Sequence, residues 1–334
     1  MKKYFFYFNF LIVYLIFSTG NSVAAENGNK KEKINKPNTV EQIKLIFNSN
    51  KGSKATYTMI STHTAISEIN GKITETMVTQ NYQINEEIVD VSTDGIIYKN
   101  MFFSNVQANM FINGKRKKKD EKKITDSFDG KSIWMKLKLN GDIIEQSDVL
   151  TVTKEDMKGE TILGIGKGLG ASLKLAMNEE DKKGIDEAGV SLFTSLLYFP
   201  TTEVKIGESW TKEFHFAGLK RKHKYIFEGF NEVNGANYAI IRLEVLSEGV
   251  TEDMVKTLIT DKKKISTSGQ TIIVGEGKFL FDYKKGVITK LEYKEISTLT
   301  MIAEVRGYKM ETETESIWEF NQNLIAFTDT TKNK

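Results

Sequence analysis

The sequence predicts a mainly β protein of long antiparallel strands, forming one large coiled sheet or open barrel, or two related β lobes, with a helical or irregular connector. Three observations carry that prediction. Polar and apolar side chains alternate over runs longer than an ordinary strand, Asn-Gly and Asp-Gly pairs punctuate those runs, and 334 residues hold two prolines. Alternation with a period of two turns one face inward and the other to water. Asn-Gly suits a two-residue hairpin, whose central positions both take positive φ. Proline removes a ladder donor and is kept out of sheets.

The elements follow in chain order. Lys2 and Lys3 precede a nearly unbroken apolar run from Tyr4 to Phe17, and Val23-Ala24-Ala25 then offers the small side chains that a signal peptidase reads. Residues 1–25 are therefore expected to be a signal peptide, because about 14 apolar residues fall short of the roughly 20 that cross a bilayer as a helix. No stable membrane insertion is expected after its removal. Residues 26–38 (ENGNKKEKINKPN) are polar and charged, and read as a disordered spacer. Residues 39–150 read as an N-terminal β lobe. Within it Thr39 to Phe47 is taken as strand, although Val40, Ile43 and Phe47 would also share a helix face. Thr56 to Ile69 and Lys72 to Ile84 flank the Asn70-Gly71 turn, and further turns fall at Asp94-Gly95, Asn113-Gly114, Asp129-Gly130 and Asn140-Gly141. Residues 151–198 lose the period: Leu169, Leu173, Ala176 and Met177, then Leu192, Phe193, Leu196 and Leu197, stand at helical spacings.

Residues 199–330 read as a C-terminal β lobe, with a second helical candidate from Glu252 to Asp261. Leu291, Tyr293, Leu299, Met301, Ala303 and Val305 share one parity. After Gly307, Tyr308, Met310, Thr312, Thr314, Ser316, Trp318 and Phe320 share a face, opposite Lys309, Glu311, Glu313, Glu315 and Glu319. Two segments, FDGKSIWMKLKLNGDIIEQ from Phe128 and GEGKFLFDYKKGVITKLEYKE from Gly275, share the outline of strand, glycine turn and strand. Hairpin chemistry alone produces much of that likeness, so a duplication stays open.

Composition excludes several function classes. Without cysteine there are no disulfides, thiolate metal ligands or thiol nucleophiles. Of 47 basic residues Lys2 and Lys3 leave with the leader, so 45 face 44 acidic ones, a balance that favours neither nucleic acid nor an anionic membrane as partner. GIGKGLGAS (Gly164 to Ser172) has alternating glycines but the spacing of neither the dinucleotide fingerprint nor the P-loop. His63, His215 and His223 form no metal-binding pair, and no nucleophile-elbow serine is present, so no catalytic, cofactor or metal residue is nominated. The basic run GKRKKKDEKK (Gly114 to Lys123) lacks interleaved aromatics and reads as a solvated hairpin tip.

The stretches FPTTEVKIGESWTKEF (Phe199 to Phe214), GEGKFLFDYKKGVITKLEY (Gly275 to Tyr293) and LIFNSNKGSKATY (Leu45 to Tyr57) resemble marks of an uncharacterised family of secreted bacterial β proteins, a domain of unknown function. The resemblance covers the C-terminal region best and brings no activity, cofactor or catalytic residue. It implies the periplasm or cell surface of a Gram-negative bacterium.

Trp134, Trp210, Tyr308, Met310, Thr312, Thr314, Trp318 and Phe320 are the candidate ligand-facing or core residues, because aromatic side chains interleaved with hydroxyls can line an apolar cavity that has polar contacts. The expected function is an exported envelope protein that binds a partner protein or an apolar ligand on a large β surface. The alternatives are a passive structural or adhesion-associated protein and a hydrolase with an unmarked carboxylate site.

Overall fold

The computed structural model describes residues 42–146, 197–216, 219–233, 235–250, 265–305 and 308–330. The expected leader, spacer, second helical candidate and almost all of the connector lie outside these residues.

Fourteen strands and one helix are described. They are β1 (Gln42–Ile43), β2 (Lys54–Ile69), β3 (Lys72–Val91), β4 (Ile97–Ile112), β5 (Lys115–Arg116), α1 (Lys118–Phe128), β6 (Ser132–Leu137) and β7 (Ile143–Gln146). After the connector come β8 (Val204–Lys205), β9 (Ser209–Phe216), β10 (Leu219–Val233), β11 (Ala236–Val250), β12 (Ile265–Asp282), β13 (Val287–Val305) and β14 (Tyr308–Thr328). Of the arrangements the sequence allowed, the structure has one large antiparallel sheet of 12 strands, in the order β7-β6-β4-β3-β2-β14-β13-β12-β11-β10-β9 with β5 beside β4. Strands from both halves of the chain meet where β2 pairs β14, from Lys54↔Thr328 to Ile69↔Thr312. The sheet does not close into a barrel, since β7 and β9 are its ends.

Turn chemistry sets the hairpins. Asn70 (φ 49°) with Gly71 (φ 78°), and Asn113 (φ 49°) with Gly114 (φ 71°), both put two left-handed residues between strands, which matches the twist of the flanking backbone. Two sequence readings need correction here. Of Thr39 to Phe47, residues 42–47 are described and contribute just the two-residue β1, with Phe47 packed against the core instead of serving as a strand residue. The basic run leaves its turn through β5 and continues as α1, because Ile124 and Phe128 can then bury against β4. Glu121 fixes that docking, as its Oε1 accepts the Arg116 Nε–H at 2.9 Å and the Met110 N–H at 3.1 Å.

At the end of the sheet near β1 three separate segments converge. The Phe47 ring lies 4.9 Å from Phe199, which lies 4.6 Å from Phe281. Asn48 N–H donates to the Gly286 carbonyl at 2.8 Å, and β1 pairs β8. A Cβ on Gly286 would sit 2.3 Å from Asn48 N, and its φ of +67° is left-handed, so this contact requires glycine. The same region spans the gap between the sheet's ends. Phe199 N–H donates to Asn140 O at 2.8 Å, Trp210 Nε1–H donates to Tyr198 O, and Lys212 of β9 pairs with Asp142 just before β7.

Candidate functional site

On the inner face of the sheet, register lines side chains into rows that cross the strands. One row runs Tyr225, Leu243, Gly277, Tyr293, Phe320 and Ser61 from β10 to β2. The next runs His223, Val245, Gly275, Glu295, Trp318 and His63, and the one beyond it Arg221, Ser247, Ile273, Ser297, Ser316 and Ala65. A further row runs Gly249, Thr271, Leu299, Thr314 and Ser67. Along the strands the inner face therefore changes from large apolar residues to small and hydroxyl-bearing ones.

At the boundary sits a buried polar network. Arg221 donates to both Glu295 oxygens, through Nη1 to Oε1 at 3.3 Å, and Nη2 also donates to the Tyr293 hydroxyl at 3.0 Å. The Tyr293 hydroxyl donates to Glu295. Arg221 Nε donates to His223 Nε2 at 2.9 Å, which leaves Nδ1 to carry the ring proton toward the Tyr225 hydroxyl, 3.2 Å away. Glu295 and His223 are 0 % exposed, so the carboxylate end of the ion pair is cut off from water, and the Arg221 side chain is 13 % exposed. Two glycines make the network possible. A Cβ on Gly275 would meet the Tyr293 hydroxyl at 2.9 Å, and one on Gly277 would meet the Tyr293 ring at 3.0 Å.

Protonation follows from burial and partners. Burial opposes the Arg221 charge, but Glu295 and Tyr293 outweigh it and raise the guanidinium pKa, so it stays charged. Burial, reinforced by Arg221, holds His223 well below the usual imidazole range, and burial alone lowers His63 to about 4. Burial and Glu295 push Tyr293 up. Each acid, base and hydroxyl of this network is engaged by another, which is a binding or scaffolding arrangement and not a poised nucleophile with its base. Among the described residues no three His, Asp or Glu side chains converge on a metal-sized site.

The predicted residues are distributed as follows. Thr314 is buried in the row that ends at Ser67, whose Oγ accepts from its Oγ1 at 3.1 Å, and Thr312 is buried one row further on, between Met301 and Ile69, with Oγ1 donating to Glu68 O at 3.2 Å. Trp318 packs between Tyr293 and Phe320, with ring centroids 6.0 and 5.8 Å away. Trp210 stacks on Tyr225 at 5.6 Å. Tyr308 and Met310 are in β14 opposite Val305 and Ala303, and their side chains are outside the described set. Trp134 is corrected. It is 41 % exposed on the outer face, because Ile133, Met135 and Leu137 take the inward parity of β6. The sequence reading passed over Arg221, His223, Tyr293 and Glu295 as a group. A signal existed: Glu295 shares the parity of Leu291, Tyr293 and Leu299, so a carboxylate was due to face the interior.

The outer face has its own apolar feature. Leu246, Val274, Ile296, Ile317, Thr64, Met77 and Phe111 form one row across seven strands, with Leu246 and Val274 exposed and the rest half-buried. Among the described residues no helix is long and apolar enough to cross a membrane.

No family model and no curated protein matches this chain. Among solved structures it is similar to lipovitellin, from a study of its lipid–protein interactions, at 9 % identity and a TM-score of 0.41 over 84 % of this chain and 26 % of that one. It is also similar to the COG4313 outer membrane channel from Pseudomonas putida F1, at 6 % identity and a TM-score of 0.22 over 87 % of this chain and 99 % of that one. A Rh. blastica porin mutant follows at 7 % identity and 0.17, over 81 % of this chain and 100 % of that one. The chain spans about a quarter of the lipovitellin chain it matches.

Proposed function

We propose that this chain is an exported envelope β protein, of the periplasm or cell surface, that binds an amphiphilic ligand against the inner face of its sheet. The observation that carries this reading is the band of small hydroxyl residues beside the aromatic wall. Ser247, Thr271, Ser297, Thr314 and Ser316 are all buried, though their side chains are small. Interiors pack to the density of organic crystals, so a further layer must lie against such a band. Thr314 is satisfied by Ser67, whereas the buried Ser247 Oγ has no partner among the described residues and calls for one. An apolar body along Trp318 and Tyr293, with a hydroxyl or carbonyl group at Ser247, satisfies both demands.

The test is native mass spectrometry of the protein secreted into a bacterial periplasm, followed by titration with a fluorescent fatty acid. A co-purifying amphiphile, displaced by the probe and lost in Ser316→Phe, is the expected result. A bare mass together with no saturable probe binding removes the reading.

A second reading is favoured by the outer row, since its exposed Leu246 and Val274, continued by half-buried and mostly apolar residues over five more strands, suit a protein partner. Val274→Lys would then abolish capture of that partner and leave probe binding unchanged.

A further inference from the structure

At the opposite end of the inner face from the serine band, a cavity of about 50 Å³ opens between the starts of β2 and β4 and the ends of β3 and β14. On a scale where one water needs about 10 to 15 Å³, that is room for roughly three to five waters. Its apolar wall includes Ile84, Ile97, Leu137 and Ile288. Its polar lining is unusual for so protected a place. Ser53 is 2 % exposed, Tyr57 4 % and Gln322 7 %, and all three border the cavity. Ser53 Oγ has no hydrogen-bond partner among the described residues. Glu86 and Lys99 also line it and hold each other at 3.1 Å, with side chains 17 % and 11 % exposed.

The chemistry of the occupant follows from that inventory. Glu86 and Lys99 cancel in charge, so the cavity calls for a neutral guest. Serine and glutamine both donate and accept, and burial with the nearby Glu86 raises the Tyr57 pKa, so its hydroxyl is a proton donor. A guest that answers mixed donors and acceptors at several points, against an aliphatic wall, is a short-chain compound with adjacent hydroxyls. We propose that this cavity is a binding site for a small neutral polyol, held by Ser53, Tyr57 and Gln322 and flanked by the Lys99–Glu86 pair. It is separate from the serine band and stands or falls independently of it.

Glycerol is the probe. Titrated into the ¹⁵N-labelled protein, it is expected to give saturable amide shifts at Ser53, Tyr57 and Gln322, while inorganic phosphate and 1-propanol give none at matched concentrations. Ser53→Ala and Gln322→Leu should each weaken glycerol by about tenfold, the loss of roughly one hydrogen bond to a buried group. The wild-type comparison of the three probes decides the matter even if a variant fails to fold. Absence of saturable shifts with glycerol, or cross-peaks to bound water that glycerol does not displace, overturns the proposal. Equal response to 1-propanol overturns the polyol assignment.

Discussion

Arg221 on β10 reaches over β11 and β12 to grip the carboxylate of Glu295 on β13, which is fully buried, while the Arg221 side chain keeps 13 % of its surface exposed. The missing side chain of Gly275 leaves room for the Tyr293 hydroxyl, which bonds to both members of the pair. Removing one partner strands the other as an uncompensated buried charge, which costs about 3 to 5 kcal/mol, whereas replacing both with apolar groups is often close to neutral. Arg221→Met should therefore lower unfolding free energy by about 3 to 5 kcal/mol in urea titrations, and Arg221→Met with Glu295→Leu should recover most of that loss.

Gly275→Val tests the space beneath Tyr293. The new Cβ would fall 2.9 Å from the Tyr293 hydroxyl and 3.2 Å from the Lys294 carbonyl, so the ring must leave the network or the strand must shift. Overpacking of this kind costs about 1 to 3 kcal/mol. Near-ultraviolet circular dichroism should register the displaced tyrosine together with the lost stability.

Stability should fall on mild acidification through the buried imidazoles. His63 has a folded pKa lowered from 6.5 to about 4, so between those values the unfolded chain takes up a proton that the native state refuses. The stabilisation is complete above about pH 6.5, declines as pH drops through that window and is exhausted below about pH 4. At 1.36 kcal/mol for each pKa unit this group contributes on the order of 3 kcal/mol, and His223 acts in the same direction. Chemical denaturation at pH 7.5 and pH 4.5 should show the decline, reduced in His63→Gln.

Tryptophan variants separate the two faces. Trp318→Ala removes a ring that is 7 % exposed and packed on Tyr293, which costs about 3 to 5 kcal/mol. Trp134→Ala loses a surface ring beside Lys136 Nζ, 5.9 Å from its centroid, worth about 0.5 to 1 kcal/mol. Iodide should quench Trp134 fluorescence and spare Trp318.

What the sequence revealed was local. Alternation alone placed Thr312, Thr314, Trp318 and Phe320 on one face and Glu311, Glu313 and Glu315 on the other, because a strand's period is a property of neighbouring residues. It could not supply adjacency. Nothing near Ser316 announces that its partner on β2 is Ala65, and Arg221 and Glu295 stand 74 residues apart. Trp134 went to the wrong face because its aromatic type was weighed ahead of the parity of Ile133, Met135 and Leu137. The helical continuation of the basic run was missed because Lys118 to Lys123 carries no apolar residue, so the buried stripe first declares itself at Ile124. The cavity at Ser53 draws on six strands and the segment before β2, and no local pattern could assemble it.

The two ends of the sheet are joined by loop contacts and an ion pair instead of a ladder. Through the middle, β13 pairs β14 without interruption from Lys290↔Asn323 to Val305↔Tyr308, while β7 holds β6 through three residue pairs. Amide protons should report this as a gradient in exchange with deuterium: those of β13 and β14 wait for global unfolding, and those of β7 exchange through small local openings. The molecule thus has a lengthwise weak line, and an interior guest could enter or leave there while the central strands remain zipped.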